Sequence, residues 1–302
     1  MPGMMKRATL AAIMCALGAT CLVAEEPHSV EGMVLQVNPA SRSIVVSCKA
    51  IPRYMDAMVM PFKVRDATAL KGLEPGTTVR FTMVAHAPQD YADHLEVIKA
   101  ANYEAEPTEA ARLAFLHRTL DPAAASKAVS IGQQVPDFTL TDQAHQPIHL
   151  AHFRGKVVAL AFAYARCPNP NYCFRLSNNL SQLRRRFRDR MGADLVLLTI
   201  MIDPANDQGK ALAHYAETWK ADPATWHFLT GPLANVEGVA QLFGMNFWND
   251  EGFLTHSFHT VVVDREGRLA SNLEGNQFSA EQLGDLVETV LSRPRIAGGA
   301  TP

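Results

Sequence analysis

Two cysteines in the second half of the chain could carry out redox or metal chemistry. Cys167 and Cys173 are separated by a loop that contains Pro168 and Pro170, and a helical pattern begins near Arg175. Backbone N–H groups at a helix N-terminus favour thiolate over thiol, and thiolate both attacks disulfides and binds metal ions. The spacing therefore predicts a redox pair or two sulfur ligands. A structural disulfide and two unrelated buried thiols are the alternatives, although so local a disulfide removes little chain entropy.

A histidine could complete a three-ligand site with these cysteines. His256 and His259 lie just before an apolar strand pattern at residues 260–263. In an open α/β sheet, such a loop can face the helix end that carries the cysteines. Two thiolates and one imidazole form a soft ligand set that suits copper, and zinc fits the same ligands. On spacing alone, a lone histidine is more often structural than a ligand.

A second group of soft ligands lies in the first half of the chain. Met58 and Met60 would point to the same face of a strand, Met55 would come from the loop before it, and Cys48 ends the preceding strand. Thioethers and a thiolate favour Cu(I) or Ag(I). Packing in the core explains the same methionines equally well, because methionine fills irregular cores.

The elements that position these residues fall into two regions. Residues 30–100 contain short strand patterns separated by turns, which predicts a small all-β barrel of OB-like type. Residues 101–130 are rich in Ala, Glu, Thr and Pro and predict a linker that carries a helix. From 131 to 293, strands alternate with helices, which predicts an α/β domain of three layers. Residues 294–302 are expected to form a disordered tail.

Individual elements of the second region follow from apolar runs and helical spacing. Strands are predicted at 156–164, 194–202 and 260–263, and helices at 176–188, 208–219 and 280–291.

Composition and the N-terminus set the class of protein. The chain has 302 residues, 48% of them hydrophobic, and a net charge of −2, which excludes disordered, collagen-like and polytopic membrane classes and gives no indication of a nucleic acid partner. Lys6 and Arg7 precede an apolar run at residues 8–24, as in a secretory signal. Residues 1–24 are thus predicted to be a signal peptide or a membrane or lipid anchor. We expect a periplasmic protein, with an uncleaved segment or a lipidated Cys21 as alternative anchors.

A series of short motifs runs through the second region. They occur at residues 135–142, 154–158, 166–168, 202–204, 228–231, 243–244, 256–257 and 263–267. In these motifs the region resembles the Sco/SenC family of exported copper proteins. The resemblance implies a thioredoxin-like fold and copper ligation by Cys167, Cys173 and His256. It also implies delivery of copper to the CuA-bearing subunit of cytochrome c oxidase, with other copper carriers as further partners.

Three positions depart from that family pattern. The loop between the cysteines has five residues instead of three, Phe174 replaces a proline, and Thr255 replaces an aspartate before the histidine. These changes bear on the bite angle and redox potential of the cysteine pair, and on the partner that would orient His256.

The methionine segment also carries a resemblance. It is flanked by Ile51-Pro52 and Pro61-Phe62 and followed by a turn at residues 73–76. Over residues 30–98 it is similar to the CusF-type copper- and silver-binding barrel. The resemblance implies Met58 and Met60 as ligands. Cys48 falls where that family has a histidine, and Met55 lies near the position of an aromatic residue that covers the metal.

These observations predict an exported copper metallochaperone that handles Cu(I), Cu(II) or both. The barrel would hold Cu(I) at Cys48, Met55, Met58 and Met60, and the second domain would pass copper to the oxidase subunit. Two alternatives remain open. One is a thiol–disulfide oxidoreductase in which Cys167 and Cys173 are the catalytic redox pair, which is the enzymatic interpretation. The other is a binding protein for copper or silver tolerance.

Overall fold

Both predicted regions are well represented in the structure, a computed structural model. It describes residues 28–85, 88–98, 128–250 and 253–294. The predicted signal or anchor at 1–24 lies outside the described residues, as do most of the predicted linker (101–130) and tail (294–302). Within the described stretches, no helix combines the length and apolar character that a membrane crossing requires.

The N-terminal region is a closed five-stranded barrel. Its strands are β1 (His28–Asn38), β2 (Ser43–Cys48), β3 (Met58–Lys63), β4 (Thr78–Val84) and β5 (Tyr91–Val97), in the order β1-β2-β3-β5-β4. Alternate residues of these strands point inwards and fill a core of their own, in which the rings of Phe62 and Phe81 meet edge to face at 4.8 Å. The prediction of a small all-β barrel is confirmed.

The second region is built on a five-stranded mixed sheet. Its strands, in spatial order, are β10 (Trp226–Leu229), β9 (Leu195–Met201), β8 (Val157–Ala163), β13 (His259–Val263) and β14 (Leu269–Glu274). The first three run parallel and the last two antiparallel. Strands β8 and β9 are buried along their whole length, which explains why all their residues but Thr199 are apolar.

Helices cover both faces of this sheet and complete the predicted α/β architecture. They are α1 (Arg175–Arg186), α2 (Gly209–Thr218), α3 (Leu233–Leu242) and α4 (Ala280–Leu291). Helices α1, α2 and α4 share one apolar core with the sheet, and α3 contributes to a second core on the other face. The thioredoxin-like α/β fold predicted for this region is confirmed.

Several short elements were not predicted. Helix α3 and strand β10 are two of them. Two hairpins were also missed: β6 (Thr139–Thr141) with β7 (Pro147–His149), and β11 (Phe247–Asp250) with β12 (Phe253–His256). So was the edge strand β14 (Leu269–Glu274). Apart from β14, these strands have four residues or fewer, too few to show a periodic pattern.

The barrel packs directly on the α/β region through α4. Met33 and Leu35, on the outside of the barrel, belong to the same buried cluster as residues of α1 and α4. Ser47 Oγ donates a 2.6 Å hydrogen bond to Asp285 Oδ2, and Gln282 Nε2 donates to the Ser47 carbonyl at 3.3 Å. The two regions are therefore joined by a buried interface of apolar and polar contacts.

Candidate metal centre

Both cysteines of the second region lie in the connection between β8 and α1. Cys167 is partly exposed and its backbone N–H donates to the Tyr164 carbonyl at 3.3 Å. Cys173 is buried in a tight turn, Pro170–Phe174, that leads into α1, and the Asn169 side chain caps this turn by accepting from the Asn171 N–H at 2.9 Å. Both thiols are free, and so is Cys48.

The two thiols differ strongly in acidity. The pKa of Cys167 is lowered to about 6, mainly because the Cys173 thiol donates a hydrogen bond to its sulfur, with further hydrogen bonds from the backbone and from Tyr164. The pKa of Cys173 is raised well above its usual range by its bond to Cys167, and burial adds to the effect. A thiolate is thus favoured at Cys167 only, chiefly by the hydrogen bond from Cys173, because the partnered, buried Cys173 keeps its proton.

The third predicted ligand lies against this pair. His256 ends β12 and is buried, and its Nε2 atom lies 3.7 Å from Cys173 Sγ. Its Nδ1 atom is 2.9 Å from the Ser257 carbonyl, which can only accept, so the proton resides on Nδ1 and the Nε2 lone pair faces the sulfur. Burial lowers the pKa of His256 to about 4. The ring is therefore neutral at pH 7, the form that binds metal.

His259, the other candidate histidine, is engaged elsewhere. It begins β13 and is buried, and its Nδ1 atom lies 2.9 Å from Asn272 Oδ1 on the neighbouring strand. This contact gives His259 a structural role in joining two strands of the sheet.

The three donors approach one another in pairs. Cys173 contacts both Cys167 and His256, while Cys167 Sγ also contacts the Asn169 carbonyl at 3.7 Å. Within the described stretches, no three His, Cys, Asp or Glu side chains are already grouped so that they could hold a metal ion. Metal binding here therefore requires a side-chain rearrangement, for which the partly exposed Cys167 is the least confined of the three.

Tyr164 is a residue of this centre that the sequence did not reveal. It is buried, its hydroxyl hydrogen-bonds Cys167, and its ring meets the His256 ring edge to face at 5.9 Å. Burial and the nearby sulfurs raise the pKa of Tyr164, so it stays a neutral hydrogen-bond donor. Its place three residues before Cys167 was the only available indication.

The loop after β9 braces the cysteine loop. Asp207 Oδ2 accepts from the Ala165 N–H at 3.0 Å, and Asp203 Oδ2 accepts from Arg166 Nη2 at 2.7 Å. Asp207 is buried, which raises its pKa to about 6. Two successive residues before Cys167 are thus anchored by carboxylates. The motif at residues 202–204 marks this loop in the sequence, but not its contact with the cysteines.

The predicted barrel ligands lie around one end of β2 and β3. Cys48 is directly opposite Met58 in the antiparallel register, so the two side chains share a face of the sheet, and Met60 follows on that face. Met58 is 49% exposed, whereas Met55 and Met60 are partly buried against the barrel core. Burial raises the pKa of Cys48 to about 12, and its thiol contacts the Val46 carbonyl at 3.7 Å. The four residues therefore form a series of decreasing exposure, from Met58 through Met55 and Met60 to Cys48.

An aromatic pair also lies beside these methionines. Tyr54, next to Met55, is half exposed, and its ring lies on that of His28 with centroids 3.6 Å apart. Because His28 and Tyr54 are far apart in the sequence, this contact could not be predicted from it.

Comparison with known families follows the same two regions. The SCO1/SenC family model matches residues 126–292, and the model of "Copper binding periplasmic protein CusF" matches residues 27–96. A Stutzerimonas stutzeri protein whose name contains the words copper-binding protein is 28% identical over 149 residues, covering 46% of this chain and 68% of that protein. A SCO1 protein homolog of Bacillus subtilis is 25% identical over 108 residues, which are 33% of this chain and 54% of the relative, so the match spans about half of its length.

Solved structures similar to this chain include two copper-bound Sco proteins. Yeast Sco1 with copper bound is 23% identical, with a TM-score of 0.46, over 54% of this chain and 92% of that chain. Arabidopsis thaliana ScoI with copper bound is 19% identical, with a TM-score of 0.46, over 52% and 98%. The two family matches support copper as the metal that this chain binds. Because the SCO1/SenC model covers more than half of the sequence, the protein belongs to the SCO1/SenC family and carries a CusF-like N-terminal region.

Proposed function

We propose that this protein is a periplasmic copper metallochaperone that delivers copper to the CuA site of cytochrome c oxidase during its assembly. The observation that carries the proposal is the approach of a neutral imidazole to the cysteine pair, with His256 Nε2 at 3.7 Å from Cys173 Sγ. Two sulfurs and one imidazole form a ligand set for copper. Membership of the SCO1/SenC family supports the oxidase subunit as the recipient.

In this proposal copper moves by ligand exchange. A small rotation of Cys167 brings its sulfur to the ion beside Cys173 and His256. Copper binding displaces the Cys173 proton to solvent, because only the thiolate is a ligand. The recipient's thiolates then replace the two cysteines one at a time, and no electron is transferred. Oxidation of the pair to a disulfide would prevent loading.

The barrel has a separate role as a holding site for Cu(I). Met58 lies at the exposed end of the series and Cys48 at the buried end, with Met60 on the same face. Thioethers bind Cu(I) without releasing a proton, so the entry of copper at Met58 does not require deprotonation of Cys48.

One observation favours thiol–disulfide exchange as a second candidate function. The pKa of Cys167 is lowered to about 6 and that of Cys173 is raised, so one thiol is nucleophilic and its partner is protonated. This asymmetry suits attack by Cys167 on a disulfide, followed by resolution by Cys173. The protein would then reduce a disulfide between cysteines of the oxidase subunit to two thiols, and Cys167 and Cys173 would themselves be oxidised to a disulfide.

A Cu(I) competition titration of the reduced protein tests the proposal. Wild type is compared with three variants: Cys167→Ser/Cys173→Ser, His256→Ala and Met58→Ala/Met60→Ala. Met191→Ala, at a partly buried methionine outside both sites, serves as the matched control. We expect wild type and the control to bind about two Cu(I), and each double variant to bind about one. His256→Ala should weaken one site.

Two results would contradict copper delivery through this centre. One is a cysteine double variant that binds as much copper as wild type. The other is an unchanged copper affinity in His256→Ala combined with disulfide reductase turnover that depends on both cysteines. The second result would favour the oxidoreductase.

A further inference from the structure

A groove of about 470 Å³ opens on the α/β region beside the cysteine loop. One wall comes from the loop after β9, with Asp203 and Pro204, and a second from the start of α3, with Leu233. The β11–β12 hairpin supplies the third wall through Phe247 and Trp248. Most of these groups are apolar, and the volume falls in the range of pockets that hold a ligand or several side chains.

Two of its walls continue directly into the candidate metal centre. Asp203 holds Arg166, the residue before Cys167, through a 2.7 Å ion pair. Phe247 is paired with His256 in the hairpin register, so the strand that lines the groove also holds the histidine. The groove is therefore an extension of the metal centre along the surface.

Exposure of the ligands fixes the direction from which a recipient must come. Cys173 and His256 are buried, whereas Cys167 is partly exposed. A recipient thiolate that replaces a ligand has to approach over Cys167. The groove adjoins this approach, because Arg166, next to Cys167, is bound to Asp203 of the groove lining.

The groove also has an exposed apolar rim and a charge preference. Leu233 is 51% exposed and lines the groove, so it presents an apolar side chain at the rim. The charges of Arg166 and Asp203 compensate each other, so Glu237 in the groove lining adds a net negative charge. The groove accordingly suits an apolar side chain on a segment that is neutral or basic.

We propose that this groove is the docking surface for the copper-receiving protein, and that it takes an apolar side chain next to the recipient's thiol ligands. The inference rests on the proposed function, because it assumes that copper leaves through Cys167. It adds that recognition of the recipient is separate from metal binding and resides in the loop after β9, the start of α3 and the β11–β12 hairpin.

Stopped-flow transfer of copper from the full-length, Cu(I)-loaded protein tests the groove. The acceptors are the reduced apo form of a soluble CuA-bearing domain of an oxidase subunit and, separately, a small Cu(I) chelator. Leu233→Asp places a charge on the exposed rim, and Ala205→Trp fills the groove from an exposed lining position. Val97→Asp is the matched control, because Val97 is also 51% exposed but lies on the barrel.

We expect both groove variants to slow transfer to the protein acceptor by about tenfold or more, as loss of a docking hot spot does. Their Cu(I) affinity and their transfer to the chelator should match wild type, and Val97→Asp should match wild type with both acceptors. Equal slowing with both acceptors would overturn docking, because the metal site itself would then be altered. Normal transfer from both variants would contradict docking in the groove but not the proposed delivery of copper. Failure of wild type to transfer to the CuA-bearing domain would instead reject the proposed function and the docking surface with it.

Discussion

Cys167 and Cys173 share one loop but hold their protons very differently, because each thiol has the largest effect on the pKa of the other. A thiol that donates a hydrogen bond stabilises the thiolate that accepts it. Cys167 accepts and is partly exposed, whereas Cys173 donates and is buried. The outer sulfur is therefore the reactive one, and it is also the one that faces an incoming acceptor or disulfide.

This asymmetry predicts the pH dependence of alkylation in the metal-free, reduced protein. Because the pKa of Cys167 is lowered from its ordinary value of 9.0 to about 6, its thiolate fraction rises between about pH 5 and 7 and is nearly complete above that. Among the cysteines that the structure describes, we expect iodoacetamide to label Cys167 alone with a midpoint near pH 6, measured by mass spectrometry of quenched samples. Cys167→Ser should remove this labelling, since Cys173 and Cys48 are buried and closed to the reagent. A midpoint near pH 9 for Cys167 would contradict the predicted acidity.

At the residue scale, the sequence indicated the ligand candidates but not the state of each one. Cys167, Cys173 and His256 stand in short motifs, and motifs can be read without coordinates. The acidity of Cys167, the neutral ring of His256 and the contact of Tyr164 depend on burial and on neighbours distant in the chain. No local pattern encodes these properties.

Among the elements, the turn before β4 contacts the α/β region through a glycine. Gly76 has φ +100°, and its N–H donates to the Val34 carbonyl at 2.7 Å. A Cβ atom on this residue would lie less than 3.0 Å from Ser271 Oγ and Leu273 Cδ2 on β14. The neighbouring Pro75 carbonyl accepts from Ser271 Oγ at 2.7 Å. The absence of a side chain thus allows this turn to approach the sheet closely.

Gly76→Ala should therefore destabilise the protein more than an ordinary substitution at positive φ. Gly72→Ala is the matched control, since Gly72 has φ +79° in the same connection but open space around its Cα. We expect the control to lower the free energy of unfolding by about 1 kcal/mol through backbone strain alone. Gly76→Ala should cost about 1–3 kcal/mol more, because Ser271 and Leu273 must move. Denaturant unfolding measures the free energy of unfolding of both variants. Equal losses would show that Ser271 and Leu273 move aside without a free-energy cost.

The regularity of the sequence pattern, more than length, decided which elements could be predicted. Strands β8 and β9 and helices α1, α2 and α4 have runs or amphipathic spacing long enough to be identified. Helix α3 was not predicted because it follows Pro232 and has no side-chain cap at its N-terminus. The β11–β12 hairpin was not predicted because its strands are short. The hairpin nevertheless positions His256, so an element invisible to pattern analysis supports the metal centre.

In the whole molecule, the barrel and the α/β region are coupled by a buried contact around α4. Asp285 accepts from Ser47 of the barrel and is also paired with Arg186 of α1 at 2.8 Å, so one carboxylate connects three elements. Ser47 precedes Cys48, the barrel thiol. The sequence predicted two separate regions joined by a linker, and this contact could not be inferred because Met33 and Leu35 resemble ordinary strand residues.

The shared interface predicts that barrel and α/β region unfold together. Leu35 is buried against α4 and outside the barrel core, so Leu35→Asp places a charge in the interface while leaving the barrel interior intact. In differential scanning calorimetry, we expect one transition for wild type and for the control Gln36→Glu, an exposed neighbour on β1. Leu35→Asp should show two transitions, with the smaller enthalpy belonging to the barrel, since calorimetric enthalpy scales with the number of residues that unfold. Two resolved transitions in wild type would instead mean that the contact is too weak to make the two regions unfold together.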